Sequence, residues 1–299
     1  MLERTTLRRY RLALEYDGTN FSGWQKQADA RTVQGDLLKA AARVFGDTPM
    51  DIQGCGRTDA GVHALEYVAH LEVASALGPQ EVSRLLDETL PKDMAVRTVE
   101  DADPRFHARH SCIARSYVYQ LRNRKSAFGK RYSWWIHEAM NLAAMQRAGT
   151  VLTGMHDFAA FAEKQELKKS TKVMVHQVRL LTDGELLRVR VVGSHFLWHM
   201  VRRMVGVLVE VGCGRLPEQE VAALLHTPSD IPFNHTAPAA GLFFEKAFYT
   251  EKELERFLDE DTRHNEPTSD LISFFKKSPL SHINLDLTRD KSSSRDIEL

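Results

Sequence analysis

The strongest constraint on the fold is a strictly alternating segment near the N-terminus. Between Arg9 and Asp17, the apolar or aromatic residues Tyr10, Leu12, Leu14 and Tyr16 occupy every second position. Side chains of a β-strand point to opposite faces in turn, so this period places all four on one face. The segment therefore predicts a half-buried strand, and with it a sheet that has a core on at least one side.

The patterns that follow predict a definite order of elements. We expect a helix that begins after the cap residue Thr32, then a short strand that leads into residue 54. Further elements are a strand at Tyr67–Val73, a helix at Val82–Thr89 and a strand at Met94–Val99. The order strand, helix, strand, strand, helix, strand is that of a ferredoxin-like or RNA-recognition-motif-like unit.

A similar order is predicted in the second part of the chain. Ser116–Arg122 alternates like a strand and Leu142–Leu152 has a helical pattern. Two further strands flank the turn residues Asp183-Gly184 as a hairpin. A long apolar helix is expected at His195–Val211, a shorter one at Glu218–Leu225 and a closing strand at Gly241–Tyr249.

These patterns predict an α+β fold with two ferredoxin-like, or RRM-like, α/β halves that form one continuous, mainly antiparallel sheet flanked by helices. We expect the halves to span residues 8–103 and 104–250, with the boundary near the acidic segment before Pro104. Residues 251–299 are expected to form a short helix at Glu251–Asp259 and a mostly mobile, charged tail.

Composition indicates a globular protein of the reducing cytoplasm. The 299 residues are 43% hydrophobic and 27% charged, enough for one large or two medium domains with cores. No apolar run reaches the roughly 18 residues of a membrane helix, so no membrane association is expected. Cys55, Cys112 and Cys213 lie far apart and are interpreted as free thiols.

Charge is distributed unevenly although the formal net charge is zero. The segment Arg105–Arg131 contains eight Lys or Arg residues and no Asp or Glu. Such a segment is typical of a phosphate-binding surface, but a solvated basic face accounts for it equally well. His107 and His110 lie in this segment, where phosphate contact and plain exposure both fit.

A loop of small residues between Gly54 and Ala64 contains one carboxylate, Asp59, and one nearby arginine, Arg57. Its glycines allow the backbone to turn, and small neighbours such as Thr58 leave room for a ligand beside Asp59. The loop lacks the third glycine of a dinucleotide fingerprint and the Gly-Lys-Ser/Thr ending of a P-loop. Asp59 is a candidate nucleophile, general base or, as the alternative, the cap of a structural turn.

Arg202 is the second candidate, because helical spacing places it among apolar residues. A buried guanidinium requires an anion, and Asp59 would supply one. The alternative is that Arg202 lies at the edge of a polar helix stripe. In the same segment, His195 and His199 have the spacing of metal ligands, but no further ligand is evident, so capping or packing is favoured.

Tyr117 belongs to the inward face of its predicted strand, where most tyrosines are core residues. If it faces the glycine-lined cavity, it is suited to stack on a base or to handle a proton.

Several separated motifs together resemble the tRNA pseudouridine synthase A family, over roughly residues 9–249. They occur in this order along the chain: Glu15-Tyr16-Asp17-Gly18, Phe21-x-Gly23-Trp24-Gln25, Thr32-Val33-Gln34, Gly56 to Ala64, Phe106-His107-Ala108-Arg109, Arg115-x-Tyr117, His199-Met200-Val201-Arg202 and Ala240-Gly241-Leu242.

The resemblance implies that Asp59 is the catalytic aspartate, which attacks either C6 of the uracil or C1′ of the ribose. It implies that Tyr117 stacks on the flipped base and is a candidate to take the ribose C2′ proton. Arg202 is then the ion-pair partner of Asp59, Arg57 props the flipped nucleotide open, and Leu242 is the apolar wall of the uracil pocket.

The same resemblance implies isomerisation of uridine to pseudouridine in the anticodon stem-loop of tRNA, at positions 38 to 40. It implies an active-site cleft between the two halves, a homodimer, and neither a metal nor a small-molecule cofactor. Thr58, Arg105, His107 and Arg109 are expected to contact the RNA. The tail after Tyr249 and the lysine-rich loop Glu163–Lys172 depart from the family pattern, which leaves the target uridines open.

Two alternatives remain at this point. One is a non-catalytic RNA-binding protein with two RRM-like modules. The other is a pseudouridine synthase of this family that acts on other RNA uridines.

Overall fold

The computed structural model describes residues 6–263, which form one sheet of ten strands with seven α-helices. The strands are β1 (Thr6–Tyr16), β2 (Met50–Gly54), β3 (His63–Ser75), β4 (Met94–Asp101), β5 (Ala114–Arg122), β6 (Trp134–Trp135), β7 (Gly154–Asp157), β8 (Lys172–Asp183), β9 (Leu186–Gly193) and β10 (Leu242–Phe248). The helices are α1 (Val33–Phe45), α2 (Pro79–Thr89), α3 (Leu142–Val151), α4 (Met200–Gly212), α5 (Glu220–Ala223), α6 (Ile231–Asn234) and α7 (Glu251–Arg263).

The first six elements form a ferredoxin-like unit. Along the chain they run β1, α1, β2, β3, α2 and β4, while in the sheet the strands lie in the order β4, β1, β3, β2. All three pairings are antiparallel. The predicted start of α1 is confirmed, since the Thr32 hydroxyl accepts a hydrogen bond from the Gly35 amide at 3.2 Å.

The second unit repeats this arrangement. Its main elements run β5, α3, β8, β9, α4 and β10, and in the sheet the strands lie in the order β10, β5, β9, β8. These pairings are again antiparallel, and β7 adds a further strand beside β8. The predicted hairpin around Asp183-Gly184 is formed by β8 and β9.

A short parallel pairing joins the two units into one sheet. Strand β10 pairs with β3 through Phe243 opposite His63 and Phe244 opposite Ala64. The prediction of one continuous, mainly antiparallel sheet is therefore confirmed. The domain boundaries at residues 103 and 104 stay a prediction, because the sheet continues through both units.

Burial follows the alternation that the sequence shows in β1. Tyr10, Leu12 and Leu14 are completely buried, and Tyr16 is nearly so. They belong to one hydrophobic core that runs through both units. Burial of this continuous apolar surface is the main term that stabilises the two units as one body.

The predicted helix His195–Val211 is wrong at its N-terminal end. Helix α4 begins at Met200, and the preceding residue His199 has a left-handed backbone with a φ of 62°. A helix cannot extend through such a residue, so residues 195–199 form a loop instead. The predicted helix at Glu218–Leu225 is also shorter than expected, since α5 covers only Glu220–Ala223.

The C-terminal helix is longer than predicted, because α7 runs to Arg263. Most of the segment predicted as a mobile tail lies outside the described residues. Within residues 6–263, no helix has both the length and the apolar character needed to cross a membrane.

Candidate active site

A cleft of about 1030 Å³ lies where the two units meet. The loop between β2 and β3 forms one wall, and the segment between β9 and the first turn of α4 forms the facing wall. Strands β5 and β10 contribute Tyr117 and Leu242 to the lining. The predicted residues that line the cleft are Arg57, Thr58, Asp59, Arg109, Tyr117, Arg202 and Leu242. Arg105 and His107 are not part of its lining.

Backbone contacts hold the loop that bears Asp59. Gly23 has a φ of 91°, and a Cβ at this position would lie 2.6 Å from the Thr58 carbonyl oxygen, so only glycine fits. The next residue, Trp24, donates its amide hydrogen to that same carbonyl at 3.1 Å. Thr58 itself is buried, and its hydroxyl lies 2.9 Å from the Tyr16 hydroxyl. The backbone and side chain of Thr58 therefore anchor the loop to Trp24 and to Tyr16 of strand β1.

Two donor groups and the edge of one imidazole surround the Asp59 carboxylate, whose side chain is 19% exposed. The Trp198 indole donates its Nε1 hydrogen to Oδ1 at 2.9 Å. Arg202 Nη1 lies 3.4 Å from Oδ2, and His199 Nε2 lies 3.5 Å from the same oxygen. The carboxylate is thus fixed in direction while one edge remains open to the cleft.

Arg202 is anchored at both ends of its guanidinium. Its Nε donates to the Ala237 carbonyl at 2.7 Å, while Nη1 faces Asp59. Helix α4 packs very closely against the segment that contains His235 and Ala237, because a Cβ on Gly206 would lie 1.6 Å from the His235 carbonyl oxygen. The backbone position of α4 therefore sets the position of Arg202 against Asp59.

Sequence reasoning missed the acidic residues behind the facing wall. Glu163 Oε1 accepts from His199 Nδ1 at 2.9 Å and from Arg203 Nη2 at 2.6 Å. Glu166 accepts hydrogen bonds from the Trp198 backbone amide at 3.1 and 3.0 Å. The available signal was Arg203, a second arginine in an apolar helix, since its nearly complete burial demands an acidic partner.

Electrostatics at Glu163 favour its ionised form. Burial by itself raises the pKa of this carboxyl group, but the hydrogen bond from His199 and the charge of Arg203 outweigh it. The net result is a pKa below the ordinary value. Glu163 therefore acts as a negative charge that holds the His199 imidazole and the Arg203 guanidinium.

Tyr117 lies at the base of the cleft and is 9% exposed. Its ring makes edge-on contacts with Phe196 and Phe244, with centroid distances of 5.3 and 5.2 Å. Burial raises the pKa of its phenol. Within residues 6–263 the hydroxyl has no hydrogen-bond partner, so it is available to a ligand.

Arg115 ties the two walls together from strand β5. Its Nη2 donates to the Cys55 carbonyl at 2.9 Å, and its Nη1 donates to the Ser194 carbonyl at 2.7 Å. One planar guanidinium thus fixes the distance between the loop of Asp59 and the segment that carries Trp198.

Metal-ligating side chains do not gather in sets of three or more anywhere in the described part of the chain. His195 lies beside the Ser194 hydroxyl at 3.1 Å, whereas His199 is engaged by two carboxylates. The two histidines therefore have different polar partners.

The fold and the cleft together define a protein of two ferredoxin-like units with a single-carboxylate site where the units meet. The chain belongs to the tRNA pseudouridine synthase family, whose family model matches residues 12–111 and 148–250. The matched ranges contain the loop of Asp59, the first turn of α4 and the closing strand β10.

Bacterial relatives support this assignment over most of the chain. The chain is 40% identical to a tRNA pseudouridine synthase A of Geobacter sulfurreducens over 242 residues, which cover 80% of this chain and 99% of the relative. It is 38% identical to a tRNA pseudouridine synthase A of Maridesulfovibrio salexigens over 250 residues, covering 82% and 92%. A tRNA pseudouridine synthase A 2 of Bacillus cereus is 35% identical over 239 residues, covering 79% and 97%.

Proposed function

We propose that this protein isomerises uridine to pseudouridine in the anticodon stem-loop of tRNA, with Asp59 as the nucleophile. The observation that carries the proposal is the Asp59 carboxylate, oriented by Trp198 and Arg202 and open to a cleft that is large enough for a nucleotide. The names of the relatives support tRNA as the substrate.

The proposed chemistry balances without any net change in composition. Asp59 adds to C6 of the uracil or to C1′ of the ribose, and the glycosidic C–N bond breaks. The base then turns within the cleft, and a C–C bond forms between C5 and C1′. The C5 proton is released, a proton is taken up at the former glycosidic nitrogen, and the Asp59 adduct is expelled.

Other residues are proposed to position the flipped nucleotide. Tyr117 stacks on the base, with its free hydroxyl beside the ribose. Leu242 provides the apolar wall of the uracil pocket. Arg57, which is exposed at the rim, fills the gap that the flipped nucleotide leaves.

Recognition of the rest of the tRNA is proposed to depend on its phosphates. Arg109 lies at the rim of the cleft, while Arg105 and His107 lie beyond it on the same segment. The two arginines suit an RNA backbone that runs away from the cleft, and the neutral imidazole of His107, whose pKa is lowered by burial, lies between them along the segment. The expected target uridines are positions 38 to 40.

We further propose a cytoplasmic homodimer. The three cysteines are free thiols, as expected in a reducing compartment. The dimer follows from the family resemblance, and sedimentation of the purified protein measures it directly.

The test is pseudouridine mapping of unmodified tRNA after incubation with wild type, Asp59→Asn and Asp47→Asn. Asp47 is an exposed aspartate that does not line the cleft, so it controls for loss of a surface charge. We expect pseudouridine in the anticodon arm from wild type and Asp47→Asn only, while Asp59→Asn still binds tRNA.

Other outcomes would change the proposal. Turnover by Asp59→Asn at the wild-type rate would remove Asp59 from the nucleophile role. Pseudouridine elsewhere in the RNA would keep the chemistry and discard the target. Binding without any pseudouridine from wild type would favour a non-catalytic RNA-binding module.

A further inference from the structure

A second, polar cavity of about 350 Å³ opens beside the main cleft. The proposed chemistry assigns it no occupant. The two cavities share Trp24, Gln25, Gly56, Arg57 and Arg109 as lining residues. The side cavity therefore directly adjoins the main cleft.

The boundary between the cavities is open and positively charged. A Cβ on Gly56 would meet no atom within 4 Å, so the backbone of Gly56 faces open space. Arg57 and Arg109 are both exposed, and neither guanidinium has a hydrogen bond or ion pair with another described residue. Two unpaired guanidiniums that flank an open ledge are suited to a phosphate group.

Side-chain amides of fixed orientation line the side cavity. Gln53 Nε2 donates to Asp51 Oδ2 at 2.7 Å, and its Oε1 lies 3.1 Å from His107 Nε2. Gln25 Nε2 donates to Gln34 Oε1 at 2.8 Å. Each of the two donating amides retains a second N–H, and Gln25 retains its carbonyl oxygen, so donors and an acceptor remain for a ligand.

We propose that the side cavity binds the base of the nucleotide adjacent to the target uridine, with the linking phosphate at Arg109 and with Arg57 in the gap that the flipped uridine leaves. This inference rests on the proposed function. The cavity has the size of small-ligand pockets, which begin at about 300 Å³. Unstacked RNA bases are recognised through hydrogen bonds to their edges, which is the chemistry that the amides of Gln25 and Gln53 offer.

The experiment combines a protein variant with an altered substrate. The substrates are an anticodon-arm RNA and two versions with a single abasic residue immediately 5′ or 3′ of the target uridine. The variants are Gln53→Leu, whose glutamine lines only the side cavity, and Gln27→Leu, whose glutamine lines only the main cleft. The measured quantity is kcat/KM for pseudouridine formation, and thermal unfolding confirms that each variant is folded.

We expect one of the two abasic substitutions to lower kcat/KM of the wild type about tenfold. On the intact RNA, kcat/KM of Gln53→Leu should be about tenfold lower than that of the wild type. On the abasic RNA the two proteins should have nearly the same kcat/KM, because the base that Gln53 contacts is already absent. Gln27→Leu should retain the wild-type penalty for the abasic substitution, whatever its rate on intact RNA.

The inference is overturned if neither abasic substitution slows the wild type. It is also overturned if Gln53→Leu loses the same factor on intact and abasic RNA, since its effect would then not involve the neighbouring base. Failure of the proposed function is distinct, because in that case the wild type forms no pseudouridine even in the intact RNA.

Discussion

Arg202→Lys separates the two duties of Arg202 while keeping its positive charge. The guanidinium donates to the Ala237 carbonyl at 2.7 Å and faces Asp59 at 3.4 Å. A lysine has one compact ammonium group at the end of a flexible stem and cannot hold both positions. The variant must therefore give up one of the two contacts.

Each choice has a measurable cost. If the ammonium remains with Asp59, the carbonyl of the fully buried Ala237 loses its partner, which costs about 2 kcal/mol of unfolding free energy. If the ammonium moves to Ala237, Asp59 loses a charged donor, which is worth about 1.5–3 kcal/mol. If this contact between Arg202 and Asp59 stabilises the transition state, its loss lowers the rate of the chemical step about 10- to 150-fold.

Single-turnover pseudouridine formation and urea unfolding together test this reasoning. Arg147→Lys is the matched control, since the Arg147 side chain is 59% exposed and its surface pair with Glu218 contributes little. The control should differ from wild type by less than about 0.5 kcal/mol. Wild-type stability combined with a wild-type rate in Arg202→Lys would refute the proposed double anchor.

Three further variants test the surroundings of the cleft. Trp198→Phe removes the N–H that orients Asp59, so steady-state kcat should fall about tenfold while KM stays unchanged. An unchanged kcat would contradict this role. Gly206→Ala brings a methyl group against the His235 carbonyl, and urea unfolding should show a loss of at least about 3 kcal/mol; a loss below 1 kcal/mol would mean that α4 shifts freely. Glu163→Gln should be less stable than wild type at pH 7, and the difference should shrink as pH falls below the ordinary carboxyl value of 4.5, because a lowered pKa stabilises only while the group is ionised; a pH-independent difference would exclude the charge as its cause.

The fold was predictable where local patterns determine it. Alternation in β1 identified Tyr10, Leu12 and Leu14 as buried, and the order of elements indicated ferredoxin-like units. The pairing of β10 with β3 was not predictable as a register, because two parallel residue pairs between distant segments leave no periodic signal.

Within the candidate site, Asp59 and Arg202 stood out because glycine spacing and a charge in an apolar helix are visible in a single sequence. Trp198 and His199 did not, since an unbroken apolar pattern there predicts helix. His199 instead has a left-handed backbone, and its ring lies 2.9 Å from Glu163, a residue 36 positions away in the sequence. Tertiary contacts of this kind override local propensity.

The two residue pairs that join β10 to β3 have a consequence for how the enzyme tolerates change. Asp59 belongs to one unit and Arg202 to the other, so neither unit contains a complete site. A slip of one residue along the seam would shift the units by about 3.3 Å, whereas a misplacement of about 1 Å already impairs catalysis. Under the proposed mechanism, repacking inside either unit is tolerable as long as the pairing of β10 with β3 keeps its register. The rate of the reaction then reports how accurately the two units are positioned against each other.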